Sequence, residues 1–114
     1  MKNCGKKIVV NGIEYVEEVD MTDNYCIVRT YSAGIFAGNL IERNGKEGTL
    51  TNARRLWYWS GAATLSQLAM EGTKNPNQCK FPCPVTVILT EIIEILPCTA
   101  KAKKSIMEVP VWEN

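Results

Sequence analysis

Residues 25–31, YCIVRTY, alternate with the two-residue period of a β-strand. Tyr25, Ile27, Arg29 and Tyr31 share one face. Cys26, Val28 and Thr30 form the other, which is expected to meet the core. GIFAGNLIER predicts a second strand and EGTLTNARRLWYW a third, with Asn44-Gly45 between them as a tight-hairpin signal. A two-residue turn at that dipeptide pairs Arg43 with Lys46. It also sets Asn52 opposite Ala37 and Arg54 opposite Ile35, unless a bulge breaks the register. Gly34 and Gly38 lie in strand-like sequence, where small residues permit a bulge or the close approach of another backbone.

The pattern changes after the tryptophans. Ser60 is expected to cap a helix over Gly61 to Glu71 that Gly72 ends, with Ala62, Leu65, Leu68 and Ala69 on its buried side. GTKNPNQCKFPCP is then a long, turn-rich connection that Phe81 is expected to pin to the body. VTVILTEIIEIL, residues 85–96, reads as one long strand, because it is dense in β-branched residues and bracketed by prolines. Both of its faces are partly apolar, as in a central strand or one covered on both sides. Thr99 is expected to cap a basic helix over AKAKKSIM, and residues 108–114 read as an extended tail. At the other end, Asn11-Gly12 between β-favouring runs makes residues 1–23 a hairpin or else an extension. The expectation is a single α+β domain over residues 1–114. Its antiparallel sheet has about four to six strands, with one short helix after the Trp-rich strand and one near the C-terminus.

Charge and composition narrow the chemistry. With 114 residues there is room for one core. A net charge of +1 argues against an extended nucleic-acid surface held by bulk electrostatics. The chain has no histidine, which removes the usual general base and the commonest metal ligand. Five cysteines make an odd count with no recognisable secretory leader before them, so thiols in reducing cytosol are expected. No apolar run is long enough for a membrane span. Cys79 and Cys83 lack the partners of a zinc site in their spacing, and no metal or cofactor is expected. Glu91 and Glu94 differ in strand parity, so they do not form a catalytic pair in one regular strand, and no catalytic residue is assigned. Lys101 and Lys104 share a helix face, with Lys103 pointing elsewhere.

The densest unusual segment is NARRLWYWSG. Rings stack on a base while guanidinium groups pair with phosphate oxygens, so arginine beside aromatics suits a nucleotide-like ligand. Trp57, Trp59, Tyr31 and Phe36 are the candidate stacking groups. Arg29, Arg54 and Arg55 are candidate anion ligands, and Asn52 offers an amide to a base or ribose. Amides near Ser32 to Gly34 are a further possible anion cradle. The same tryptophans serve equally well as core or as an interface with another protein.

VRTYSAGIFAG, NARRLWYWSGAATLSQLA and NPNQCKFPC together resemble a family of small bacteriophage and prophage proteins, over about Val28 to Trp112. The resemblance implies a phage-type protein acting in the host cytoplasm, with no activity to carry over. By analogy with phage proteins that sequester nucleotide second messengers, the leading expectation is a non-enzymatic homo-oligomer. It would hold a small nucleotide-like or anionic ligand, such as a host immune signal. The alternative is a protein-interaction or virion-associated module, and a small nucleotide hydrolase ranks below both. Trp112, so near the end of the sequence, suggests apolar surface buried against a partner subunit.

Overall fold

The computed structural model describes residues 7–10, 13–16 and 21–113, with side chains from Asn24 onward. Strands β1 (Lys7–Val10) and β2 (Ile13–Val16) pair antiparallel, with Val10 opposite Ile13. These two strands pair as the arms of the expected hairpin do, while the expected Asn11-Gly12 turn lies outside the described residues.

Five strands build the main antiparallel sheet: β3 (Met21–Thr30), β4 (Ile35–Asn44), β5 (Glu47–Arg55), β6 (Val85–Leu89) and β7 (Ile92–Thr99). Their order is β6-β5-β4-β3-β7. Two helices, α1 (Leu65–Glu71) and α2 (Ala100–Met107), complete an α+β domain. A short 3-10 turn at Pro76–Gln78 punctuates the long connection.

The expected long strand over residues 85–96 is two strands, and neither is central. β6 and β7 lie on opposite edges of the sheet, joined only by Thr90 and Glu91. In a flat sheet those edges stand four spacings, about 19 Å, apart. Three Cα steps from Leu89 to Ile92 reach at most about 11 Å. The sheet therefore curls until its edges approach at this corner. There the Ile92 N–H donates to the Lys46 carbonyl at 2.9 Å.

Curling gives β3 two covered faces. Cys26 and Val28 join Phe36, Leu50, Ala53, Leu89 and Ile92 in one cluster. Tyr25 and Ile27 are equally buried in the other, with Ala37, Leu68, Phe81, Ala102 and Ile106 under the helices. The expectation of a single core face on this strand is corrected: alternation separates two cores rather than core from solvent.

The β4–β5 hairpin is offset from the expected register. Its two-residue loop is Gly45-Lys46, with Gly45 at φ +62°, so that Asn44 faces Glu47 and Ala37 faces Arg54. Positive φ at the first loop residue is what Gly-X loops supply. Two irregularities then interrupt the ladder. At one of them Asn52 takes φ +51° opposite Gly38. A Cβ on Gly38 would stand 2.9 Å from both Ala53 Cα and the Thr51 carbonyl oxygen, so this glycine answers to the close approach of backbone.

Helix α1 starts later than expected. Thr64, not Ser60, is its cap, accepting from the Gln67 N–H at 3.1 Å, and Gly72 ends it at φ +78°. Ser60 instead serves the loop: its carbonyl accepts from Thr73 Oγ1. Thr99 caps α2 by accepting from the Ala102 N–H at 3.0 Å.

Candidate functional site

The NARRLWYW segment leaves the sheet at the end of β5, and strand pairing sends its two arginines to opposite faces. Arg54 lies opposite Ala37 and Arg55 opposite Phe36. Directly paired residues share a face, so Arg54 enters the core beneath the helices and Arg55 the concave side of the sheet.

Arg54 is 2% exposed. Its Nη2 donates to the Phe81 carbonyl at 2.7 Å and its Nε to that of Pro82 at 3.0 Å. Nη1 donates to Ile106 at 2.9 Å and Val109 at 2.7 Å. The planar fork thus fastens the end of α2, the tail after it and the long connection to one point on β5. Burial pulls the guanidinium pKa below the usual arginine value, while the carbonyl acceptors favour the charged form. The expected role of Arg54 as a phosphate ligand is corrected, because main-chain oxygens occupy its donors.

Arg55 is half-buried and holds a different position. Its guanidinium carbon lies 4.4 Å from the centre of the Phe36 ring and 5.5 Å from that of Trp57. Nη1 donates to the Ala33 carbonyl. Gly34, at φ +103°, leaves room for this contact, since a Cβ there would stand 3.1 Å from Nη1. Phe36 is itself 3% exposed and forms the floor of the stack. Trp57 is the outer layer at 61% exposed. No carboxylate pairs with Arg55 among the described residues.

The remaining candidates do not converge on this stack. Arg29 lies on the other face and pairs with Glu94 at 2.5 Å, with both side chains more than two-fifths exposed. Trp59 packs against the helix-side core. Asn52 belongs to an amide ladder in which its Nδ2 donates to Asn39 at 3.3 Å and Asn39 donates to Asn24 at 2.8 Å. Tyr31 is 77% exposed at the start of the β3–β4 loop. Of the amides in the expected anion cradle, that of Ala33 is taken, donating to Thr30 Oγ1 at 2.9 Å, while the Ala33 carbonyl serves Arg55. Glu91 occupies the β6–β7 turn and accepts from Ser32 at 3.4 Å.

A neighbouring group was not picked out from the sequence. Tyr58 faces Lys80 across an isolated bridge, and the Lys80 ammonium lies 5.7 Å from the centre of the Trp112 ring. Trp112 is thus held within this chain, with its N–H donating to the Phe81 carbonyl at 3.0 Å. The Trp57 N–H donates to the Lys80 carbonyl at 3.2 Å, so both aromatic–cation pairs hang on the same short stretch of backbone. An exposed tyrosine followed by its lysine partner more than twenty residues later leaves no local pattern.

Among the described residues no group of three or more His, Cys, Asp or Glu side chains is gathered to hold a metal, and no helix is long and apolar enough to cross a membrane. Burial pushes the Cys26 thiol up to about 11, and burial with Cys26 nearby pushes Cys98 up to about 12. The Tyr25 hydroxyl moves the same way, chiefly through burial. The native state therefore keeps these protons at pH values where the unfolded chain loses them. Stability is expected to hold below about pH 9 and to fall steadily above it, as the unfolded thiols ionise. Thermal melts between pH 7 and 11 check this, and a midpoint flat across that range contradicts it.

A family model described as Domain of unknown function (DUF6948) matches residues 23–106. No curated protein and no solved structure matches the chain.

Proposed function

The chain belongs to that family of domains of unknown function, and we propose that it is a non-enzymatic binding protein that grips a protein partner through the Arg55–Trp57 surface. One observation carries the reading: Trp57 is 61% exposed, yet its ring lies against a guanidinium that Phe36 and the Ala33 carbonyl hold in place. An exposed aromatic already fixed in position loses little freedom on binding, which is the property of an interface anchor. Tyr58, at 53% exposed, and Trp112, at 37%, extend the aromatic surface around Lys80.

The partner is a second copy of this chain or a protein of the phage host cytoplasm. A photo-reactive residue at position 57 is expected to cross-link to it, whereas one at exposed Met70 on α1 is not. Trp57→Ala and Arg55→Ala should each weaken capture by about tenfold or more with the far-ultraviolet spectrum unchanged. Equal cross-linking from both positions sinks the reading.

A second reading keeps the nucleotide-like ligand. It is favoured by the Arg55 donors that no carboxylate of the described residues occupies. It is weakened because Arg54 is sealed and Arg29 is neutralised on the other face. Native mass spectrometry separates the two, since a retained small molecule lost in Arg55→Ala supports the ligand and a bound polypeptide supports the interface.

A further inference from the structure

The two edges of the main sheet are built differently. β7 carries Glu94 in an ion pair and Pro97, which offers no N–H, and its ladder with β3 is broken twice by register shifts. These are the devices that keep an edge from recruiting another strand. β6 reads VTVIL and has no charge and no proline. Its ladder with β5 is regular from Gly48–Leu89 to Leu50–Val87 and shifts once, between Leu50 and Ala53. Among the described residues no strand lies beside its outer main-chain groups, and Ile88 is 71% exposed.

Beside this open edge lies a groove of about 270 Å³. Ile88, Thr49 and Glu42 form one row across β6, β5 and β4, because Ile88 pairs with Thr49 and Thr49 with Glu42. Glu47 lines the same groove. A strand added outside β6 extends the row by one spacing, so its own residue stands about 14 Å, three spacings, from Glu42. A lysine or arginine at that place lays its methylene stem over Ile88 and carries its charge towards the two carboxylates. An acid there meets like charge.

We propose that the outer edge of β6 takes up an extended segment of another polypeptide as a sixth strand, with a basic side chain lying over Ile88 towards Glu42 and Glu47. Main-chain hydrogen bonds supply affinity, and the acidic groove selects the side chain. A second copy of β6 fits less well. Neither VTVIL nor its neighbours Pro84 and Thr90 carry a base, so the carboxylates of both copies stay unmatched. This edge is separate from the Arg55–Trp57 surface, and neither proposal rests on the other.

The probe is a labelled seven-residue peptide alternating threonine and valine around a central lysine, followed by fluorescence anisotropy and amide exchange. The lysine peptide should bind at least about tenfold more tightly than its glutamate counterpart, a difference of about 1.4 kcal/mol. Glu42→Lys with Glu47→Lys should reverse that preference, and the amides of residues 85–89 should gain protection only in the complex. The peptide swap needs no altered protein, so the test survives a variant that does not fold. The proposal is overturned if the lysine and glutamate peptides bind alike, or if a peptide with proline at alternate positions binds as well. It is also overturned if the protein alone sediments as a dimer with the residue 85–89 amides already protected.

Discussion

Arg54→Met is expected to cost about 3–5 kcal/mol of stability, a large part of the roughly 5–15 kcal/mol that holds a domain of this size. The cost is not lost contact area, since methionine fills much of the same space. It comes from the carbonyls of Phe81, Pro82, Ile106 and Val109, which all accept from this one side chain; Phe81 and Ile106 keep the N–H groups of Trp112 and Val109, while Pro82 and Val109 lose the guanidinium donors. A buried acceptor stripped of its donor bears the full desolvation penalty. The Ile106 carbonyl lies in the last turn of α2, where carbonyls lack a partner within the helix, and Val109 lies just past its end. Arg54→Lys should recover only part of the loss, because one ammonium cannot reproduce a planar fork that reaches two segments at once. Urea unfolding followed by far-ultraviolet circular dichroism measures both. A loss below about 1 kcal/mol for methionine would mean that water replaces the guanidinium at little cost.

The sequence is legible where the controlling interactions are local. Thr99 and the run AKAKKSIM announce a capped helix because cap and helix are contiguous. The YCIVRTY and GIFAGNLIER strands follow from alternation alone. It is not legible where distant groups decide. Ser60 and Thr64 are both capping residues, and the choice between them rests on Thr73, which takes the Ser60 carbonyl from across the loop. The unbroken apolar run of residues 85–96 hides a corner, because both edges of a curled sheet need the same kind of strand. Gly38 was legible as a place of close backbone approach, but the bulge at Asn52 that answers it was not locatable.

The candidate site divides in the same way. Arg55, Phe36 and Trp57 do stack, and Trp57 with Arg55 two residues before it is the local part of that pattern. Arg54 carries the same side chain one residue earlier, yet parity sends it into the opposite core. Composition marks the segment as unusual and cannot tell an arginine that binds the main chain from one that faces a partner. What covers each face makes that distinction: the two-residue hairpin offset moves Arg54 from opposite Ile35 to opposite Ala37, which share a face, and the core beneath the helices is what buries it there.

Phe81→Ala tests whether the long connection is a passive linker or the anchor of the recognition surface. The ring is fully buried in the helix-side core, and Arg54 lies 5.7 Å from its centre. Truncation to alanine is expected to cost about 3–5 kcal/mol, from lost burial and the cavity left behind. The effect should spread along the backbone around it. The Phe81 carbonyl accepts from Arg54 and from Trp112, and the neighbouring Lys80 carries both the Tyr58 bridge and the Trp57 hydrogen bond. Amide exchange should therefore speed up at Trp57, Lys80 and Trp112 together, beyond any change at the β4–β5 loop on the far end of the hairpin. With Arg54→Met in the same chain the two costs should fall short of their sum, since both changes release the same segment from the same core. Strict additivity, or exchange that rises at the Gly45-Lys46 loop as much as at Lys80, would mean that Phe81 fills space without organising the surface above it.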